Sequence, residues 1–437
     1  MDVRKAALKS LIKILYKNSS SDDVLNYYSR QVLISSELKS IVSGVIRNKL
    51  TIDYFIASIS DKKIKALSNN VLNTLRLAIY ELEFIKTPDY AVLNSYVELV
   101  KQSDPKAGAF VNGVLRNFIR KRNSINFPDI EKDPISTISI KYSHPEWMVE
   151  RWVKNYGIED TIKICKFNNL NPKLTVRVNT LKITGEKLKE FFVRNNVSYS
   201  EDRIVSDCLI LHHKGDVREI PGFKEGYWTV QSEPSSLVSV ILDPQENENI
   251  LDLCAAPGGK TTHIAALMNN KGKIKAVDIS SKRLAKVEEN CSRLGISIVD
   301  CETADAKIYT SDKKFDRILI DAPCSNTGVL AKRIDARWKK TNEDIKNLAK
   351  IQFEILNNAA KFVKPEGIIV YSTCSIEPEE NHEVISKFLA ENQKFKLEKI
   401  NPYLSWNTGE DNFCLQILQS KQNIDGFFIT KLKNMVS

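Results

Sequence analysis

Eight cysteines are spread along this 437-residue chain, and two of them stand where short apolar runs end. Cys324 lies in "LIDAPCSNTG" (319–328) and Cys374 in "IIVYSTCSIEP" (368–378). A thiol delivered at the end of a buried strand and activated to the thiolate is a nucleophile. The others, Cys165, Cys208, Cys254, Cys291, Cys301 and Cys414, form no CxxC pair and no Cys/His cluster. That spacing speaks against a disulfide scaffold and a zinc site, and leaves small buried hydrophobes and reduced thiols as the readings. Strand position alone does not rank Cys324 against Cys374.

A second constellation precedes them. "LDLCAAPGGKTTHIAAL" (251–267) reads as strand, tight turn and helix. Its small residues Ala255 and Ala256, then Gly258 and Gly259, let backbone approach a ligand at the carboxyl end of a strand. There is no GxGxxG and no GxxxxGK[ST], so the turn suits a pyrophosphate poorly. The next run, "KAVDIS", ends in Asp278, an acid placed for a ribose hydroxyl pair; "ETADA" carries Asp305 where an adenine amino group could be held. Two acids repel a phosphate-rich cofactor and suit a nucleoside with a cationic sulfonium, which describes S-adenosylmethionine. The plainer reading is that each acid caps the helix after it.

A thiol beside a methyl donor points to an acceptor that cannot attack unaided. C5 of a pyrimidine is one. A thiolate adding at C6 turns C4–C5–C6 into an enamine, C5 takes the methyl group, a base removes the C5 proton, and the thiol is eliminated. Such chemistry needs an exposed, low-pKa cysteine and a donor near N3 to absorb charge, a role for an acid beside the pocket.

The elements that must position these residues are legible in outline. Residues before 130 read as helices: Val3, Ala7, Leu11, Ile14 and Leu15 share a face, and "SSEL" (35–38) offers an N-cap serine. Gly108, Ala109 and Gly113 would let two helices approach closely. "NSINFPDIEKDP" (123–134) reads as a linker, and "HPEWMVERWVKNYG" (144–157) as a helix ended by glycine. "LTVRVNTLK" (174–182) alternates like a strand, and "YWTVQSEPSSLVSVIL" (227–242) passes from strand to helix. From 248 onward apolar runs alternate with helices, the pattern of a parallel sheet covered on both faces, with "NFCLQILQS" and "GFFITKLKN" as a closing antiparallel pair. The expected architecture is multidomain: an all-α bundle (1–125), a small α+β linking piece (135–240) and an α/β Rossmann-like domain (241–437). Net charge is +10 and the pI near 9.0, which favours a polyanionic partner or reflects a lysine-rich surface. No apolar run approaches a membrane span, and the amphipathic start is unlike a signal peptide, so the cytoplasm is the default. "RNFIRKR" (116–122) and "AKRIDARWKK" (331–340) could bind phosphate. Trp338 either stacks on a base or packs in a core.

"LCAAPGGKT", "VDIS", "DAPCSNTG" and "YSTCSIEPEEN", in this order, resemble the RNA (cytosine-5) methyltransferase family, whose hallmark is a Pro-Cys and Thr-Cys pair. "SHPEW", "VRVNTLK" and "DGFF" extend the likeness over residues 140 to 435. "SGVIRNKLTIDYF" and "AFVNGVLRN" resemble a NusB-like RNA-binding domain, as in the RsmB-type branch that acts on 16S rRNA. The resemblance implies that Cys374 attacks C6, that Cys324 helps release the product, and that Asp321 lies between cofactor and cytosine. It implies a cofactor site made of Cys254, Ala255, Ala256, Pro257, Gly258, Gly259, Lys260, Asp278, Asp305 and Asp321, with Cys254 packing rather than reacting. Arg283 and Pro323 would face substrate, although Arg283 also reads as an ordinary helix charge. The family's usual Gln-Asp ahead of the cofactor strand is here followed differently: Gln231 precedes Ser232 and Glu233. The implied partner is 16S rRNA, free or partly assembled into the small subunit, acted on by a monomer with a base unstacked from its neighbours. Methylation of tRNA and a non-catalytic NusB-like assembly factor are the alternatives.

Overall fold

Ala7, Leu11 and Ile14 are fully shielded in the first helix, Val3–Tyr16, as their spacing predicts. Each such aliphatic side chain contributes about 1.5–3 kcal/mol on burial. In this computed structural model, which describes residues 1–17, 19–201, 205–213, 215–400 and 412–435, one compact unit comprises residues 1–171 with 330–340. It is helical: Val3–Tyr16, Ser21–Ser29, Ser35–Arg47, Lys49–Ile59, Asn69–Tyr80, Asp89–Lys101 and Ala107–Lys121 surround one core, and Pro134–Tyr142 and Glu146–Asn168 join them. Thr51 Oγ1 donates to the Ile140 carbonyl (2.6 Å) and Leu50 N–H to Ser143 Oγ (3.0 Å), which is why the helices beyond the linker group with the bundle. The units therefore divide elsewhere than at the linker 123–134.

Two local expectations change. Ser35 starts its helix, but Ile34 holds the cap position and no side chain caps the first turn. Gly157 (φ 79°, ψ 169°) does end the helix that begins at Glu146, as its place in the sequence suggests, and a second helical stretch runs on to Asn168. Of the small residues at 108–113, only Gly108 is buried, against Lys101, while Ala109 and Gly113 face outward. The close approach is made by Gly44, where an added Cβ would overlap the Tyr80 ring.

The basic stretch 331–340 is a larger correction. It folds into the helical unit, and Arg337 is turned inward. Arg337 is fully buried and donates to the carbonyls of Arg47 (3.1 Å), Ser143 (3.1 Å) and Asn168 (2.9 Å) and to Asn169 Oδ1 (2.8 Å). Burial among these neutral acceptors pulls its pKa down to about 9. Trp338 packs on the helical core, donates to the Ile46 carbonyl (2.9 Å) and lies under the Lys49 ammonium, so it is not a base-stacking platform. Arg333 pairs with Asp22, and Lys339 with Asp335 and the Ser19 carbonyl. Arg337→Met should lower the unfolding free energy of this unit by about 3 kcal/mol, because three main-chain carbonyls lose a buried donor. A denaturation midpoint equal to that of the wild type would refute this.

The second unit comprises residues 172–329 with 341–437. Its first part is a four-stranded antiparallel sheet, β1 (Leu174–Val178), β2 (Tyr199–Glu201), β3 (Cys208–Leu211) and β4 (Trp228–Val230), in the order β2-β3-β1-β4. Val176, Val178, Leu209, Leu211 and Trp228 form its core with Leu188 and Phe192 of the helix Gly185–Arg194. The helix Glu233–Leu242 leads to the large sheet: β5 (Asn249–Leu253), β6 (Lys273–Asp278), β7 (Val299–Thr303), β8 (Phe315–Asp321), β9 (Val363–Thr373), β10 (Phe395–Glu398), β11 (Cys414–Ile417) and β12 (Phe427–Asn434). The order is β10-β12-β9-β8-β5-β6-β7, with β11 on β12. The strands β7, β6, β5, β8 and β9 run parallel; β12 joins β9 antiparallel. Apolar clusters cover both faces, as near-continuous apolar strands require. The chain reverses direction across the sheet between β5 and β8, and ligands of such folds bind at the carboxyl ends there. No helix among the described residues is long and apolar enough to cross a membrane.

Candidate active site

β5 delivers the glycine turn. Cys254 follows it with φ 64°, the Ala255 N–H donates to the Val277 carbonyl (3.0 Å), and Gly258 (φ 95°) caps the helix Gly259–Leu267. A Cβ at Gly258 would press on Val287 at 3.1 Å, so both backbone angle and space demand glycine. Burial, with Asp321 and Asp278 nearby, pushes the Cys254 thiol up, which fits packing better than reactivity. Asp278 ends β6 and accepts from the N–H groups of Ala256 (3.2 Å) and Ser280 (3.0 Å). Asp305, just beyond β7, accepts from the Lys307 N–H (3.0 Å). Each acid thus does serve the backbone after it, and each keeps acceptor capacity to spare. Arg283 braces the turn: its guanidinium donates to the Ala256 carbonyl at 2.6 Å and stands 3.5 Å from Asp278. Asn290 adds a bond to the Pro257 carbonyl at 3.2 Å.

The thiols come together at the next two strand ends. β8 and β9 are adjacent and parallel, with Asp321 opposite Ser372, so the loops leaving them start side by side. The sulfurs of Cys324 and Cys374 are 3.1 Å apart, and both are free thiols. Cys374 Sγ lies 3.3 Å from Asn326 Oδ1, and the Asn326 amide donates to the Cys324 carbonyl at 3.0 Å. Cys324 is buried and Cys374 partly open. Contact with Cys374, then burial, raises the Cys324 thiol well above its usual pKa. It stays protonated at neutral pH and can donate to a thiolate beside it. Asp321 accepts from the Lys260 ammonium (2.7 Å) and from the Ser372 hydroxyl (3.1 Å). Pro323 is exposed beside Cys324, and its carbonyl accepts from Gln352 Nε2 (2.9 Å).

The "DGFF" segment closes the site from β12. The Gly328 N–H donates to the Cys374 carbonyl (3.0 Å), and the Gly426 N–H donates to the Gly328 carbonyl (2.7 Å). A Cβ on Gly328 would strike the Gly426 carbonyl, so two backbones meet here.

The sequence reading singled out neither Asn326 nor Ile279 and Ile308, isoleucines 67% and 75% exposed beside Asp278 and Asp305. For Ile279, its place directly after a strand-end acid was the available signal; Ile308, three residues past Asp305, carried none. Glu380 was quoted within "EPEEN" without a role, because runs of acids are usually solvated.

Three family models match: 16S rRNA methyltransferase RsmB/F over residues 239–433, the NusB family over 1–120, and an RsmF/B-like ferredoxin-like domain over 144–218. The chain is 36% identical to a probable ribosomal RNA small subunit methyltransferase B of Bacillus subtilis, covering 99% of this chain and 98% of that one. It is 32% identical to the ribosomal RNA small subunit methyltransferase B of Proteus mirabilis, covering 96% and 99%. Among solved structures, PH0851 superposes with a TM-score of 0.83 at 26% identity over 98% of both chains. NSun6 from Pyrococcus horikoshii, solved with SFG, gives 0.60 at 26% identity over 67% of this chain and 99% of that one.

Proposed function

The chain belongs to the RsmB/F family of 16S rRNA methyltransferases, and from that premise we propose that it methylates C5 of a cytosine in 16S rRNA, with S-adenosylmethionine as donor and a transient bond between Cys374 and C6. The observation that carries this reading is the 3.1 Å separation of two free thiols at the carboxyl ends of adjacent strands. Neither a structural pair of thiols nor a helix-capping pair of acids requires the other; a covalent pyrimidine methyltransferase requires both.

The donor set fits S-adenosylmethionine. Asp278 and Asp305 supply acceptors for ribose hydroxyls and the adenine amino group, and exposed Ile279 and Ile308 supply apolar faces for the base. The residues Cys254 to Lys260 would hold the amino-acid end at the helix N-terminus, and the acids disfavour a phosphate-rich ligand. SFG, found with NSun6, is an analogue of S-adenosylmethionine, which supports the same donor here. When bound, the donor supplies a methyl group on a positively charged sulfur. Asp278→Ala should weaken S-adenosylmethionine binding by about tenfold or more in calorimetry, since a buried acceptor and the turn's backbone bond are lost together. An unchanged Kd would remove Asp278 from the site.

The chain's own residues perform the remaining steps. The Cys374 thiol gives its proton to solvent and its sulfur bonds to C6, with Cys324 S–H as hydrogen-bond donor to the thiolate beforehand; this is the one proton released per turnover. Negative charge moves into the ring, and the Lys260–Asp321 pair supplies the proton taken up at N3. For release, the C6–S bond breaks, the Cys324 thiol gives its proton to the departing Cys374 sulfur, and the C5 proton replaces it on Cys324. The proton on N3 returns to the pair. The test is transfer of labelled methyl from S-adenosylmethionine to a 16S rRNA transcript, with tRNA in parallel, followed by nucleoside digestion. Label in 5-methylcytidine from the rRNA is expected. Label only in tRNA, or in another nucleoside, would overturn the assignment, and failure to bind S-adenosylmethionine would favour an assembly factor.

A further inference from the structure

One buried carboxylate ties the two cysteine loops together. Glu380, in the short turn Pro378–Glu380, is 0% exposed. Its Oε1 accepts the backbone N–H of Ser325 (2.8 Å) and the Gln352 amide (2.9 Å). Its Oε2 accepts the hydroxyls of Ser325 and of Ser375, the latter at 2.5 Å. Ser325 directly follows Cys324, and Ser375 directly follows Cys374. The Ser325, Thr327 and Ser375 hydroxyls also contact one another at 3.1–3.3 Å. Gln352 extends the bracket to the Pro323 carbonyl, one residue before Cys324. The Tyr371 hydroxyl, from β9, donates to Glu380's own carbonyl at 2.7 Å.

Among the described residues no lysine or arginine pairs with this carboxylate, and burial raises its pKa. A buried acid without a cation is a costly way to fill space; well-packed apolar residues would be more stable. What an apolar side chain cannot do is accept hydrogen bonds from both cysteine loops and from the helix that carries Gln352. A buried network of this kind fixes geometry, and here the geometry fixed is the separation of the sulfurs.

We propose that Glu380 is a positioning residue for methyl transfer, holding the Cys324 and Cys374 loops in the register that sets their sulfurs 3.1 Å apart. The inference rests on the reading of Cys374 as nucleophile and Cys324 as the releasing thiol. It acts on the rate of the covalent steps and leaves cofactor and RNA binding alone.

The test compares full-length wild type, Glu380→Ala and Glu380→Gln, each also in a Cys324→Ala background that accumulates the protein–RNA adduct. Glutamine keeps one acceptor in place, and the serine hydroxyls can rotate to accept from its amide. Glu380→Ala should lower kcat and the rate of adduct formation by about 100-fold while KM for RNA and for S-adenosylmethionine stays within about threefold, the signature of misplaced reacting groups. Glu380→Gln should return kcat to within about tenfold of wild type. A kcat for Glu380→Ala near that of wild type, or an equal loss in both variants, would overturn the clamp. If Glu380→Ala does not fold, Ser375→Ala removes one hydroxyl of the bracket while Glu380 keeps its other three bonds, and should cost about tenfold in kcat at unchanged KM; unchanged kcat counts against the proposal equally. Absence of adduct in the Cys324→Ala parent would fault the assignment of the thiols, and the clamp is then decided on kcat alone.

Discussion

Cys374→Ala should abolish methyl transfer, by about 10⁴-fold or more, while S-adenosylmethionine and rRNA bind within about threefold of wild type. The substitution removes one sulfur at a partly open position and leaves the turn 254–260, Asp278 and Asp305 untouched. Without a bond to C6, C5 remains part of an aromatic, electron-poor ring, and positioning it near a methyl donor does not make it a nucleophile. The neighbouring thiol cannot take over. Cys324 is 8% exposed, and the burial that helps raise its pKa persists when its partner is shortened, so it stays protonated and is a poor nucleophile. Stability should change little, since the sulfur's contacts are to Cys324 and Asn326. The measurement is single-turnover transfer of labelled methyl, with cofactor binding followed separately. Substantial residual turnover would mean that Cys374 is not the attacking atom. Loss of cofactor binding together with activity would mean that the residue holds the turn instead.

What could be read from the sequence follows a physical line. The two thiols, the turn and both acids were legible because each sits at the end of an apolar run, and strand ends in a parallel sheet share one edge. Which thiol is sheltered was not legible. That depends on Asn326 and Glu380, whose contacts to Cys374 and to Ser325 cross about fifty residues of chain and leave no periodic trace. Arg283 illustrates the same limit: its helix and its exposed setting read as surface charge, and only the fold brings the Ala256 carbonyl to it. The stretch 331–340 misled for a related reason. A dense cationic run is usually solvated, yet Arg337 collects carbonyls from residues 47, 143 and 168, and no local pattern announces such a convergence. Ser35 failed on a smaller scale: the residue type was right for a helix boundary, but the serine hydroxyl was not used as a cap, whereas Gly157 did break the helix where its position suggests. The closing pair β11–β12 is antiparallel as the two apolar runs suggest.

Cys324→Ala should give the opposite phenotype to Cys374→Ala: attack proceeds and release fails. The nucleophile keeps its sulfur, its contact with Asn326 and the neighbouring Lys260–Asp321 pair. Bond formation at C6 needs these groups and not the Cys324 sulfur. Elimination does need it, because the departing Cys374 sulfur must gain a proton while the C5 proton is removed, and the group 3.1 Å away is the Cys324 thiol. Losing an acid–base partner of this kind slows its step by about 10²–10⁴-fold, enough to make release slower than handling on a gel. The methylated rRNA should therefore remain bound to the protein under denaturing conditions and appear as a retarded band, absent in wild type and absent in the Cys324→Ala, Cys374→Ala double variant. The double variant matters because it separates a bond made by Cys374 from one made by any of the other thiols, of which Cys254, Cys291 and Cys301 are all held protonated by burial. An adduct that instead accumulates in Cys374→Ala alone would reverse the two roles. Full turnover in Cys324→Ala would leave the sulfur pair without a part in release, and the 3.1 Å contact would then be packing only.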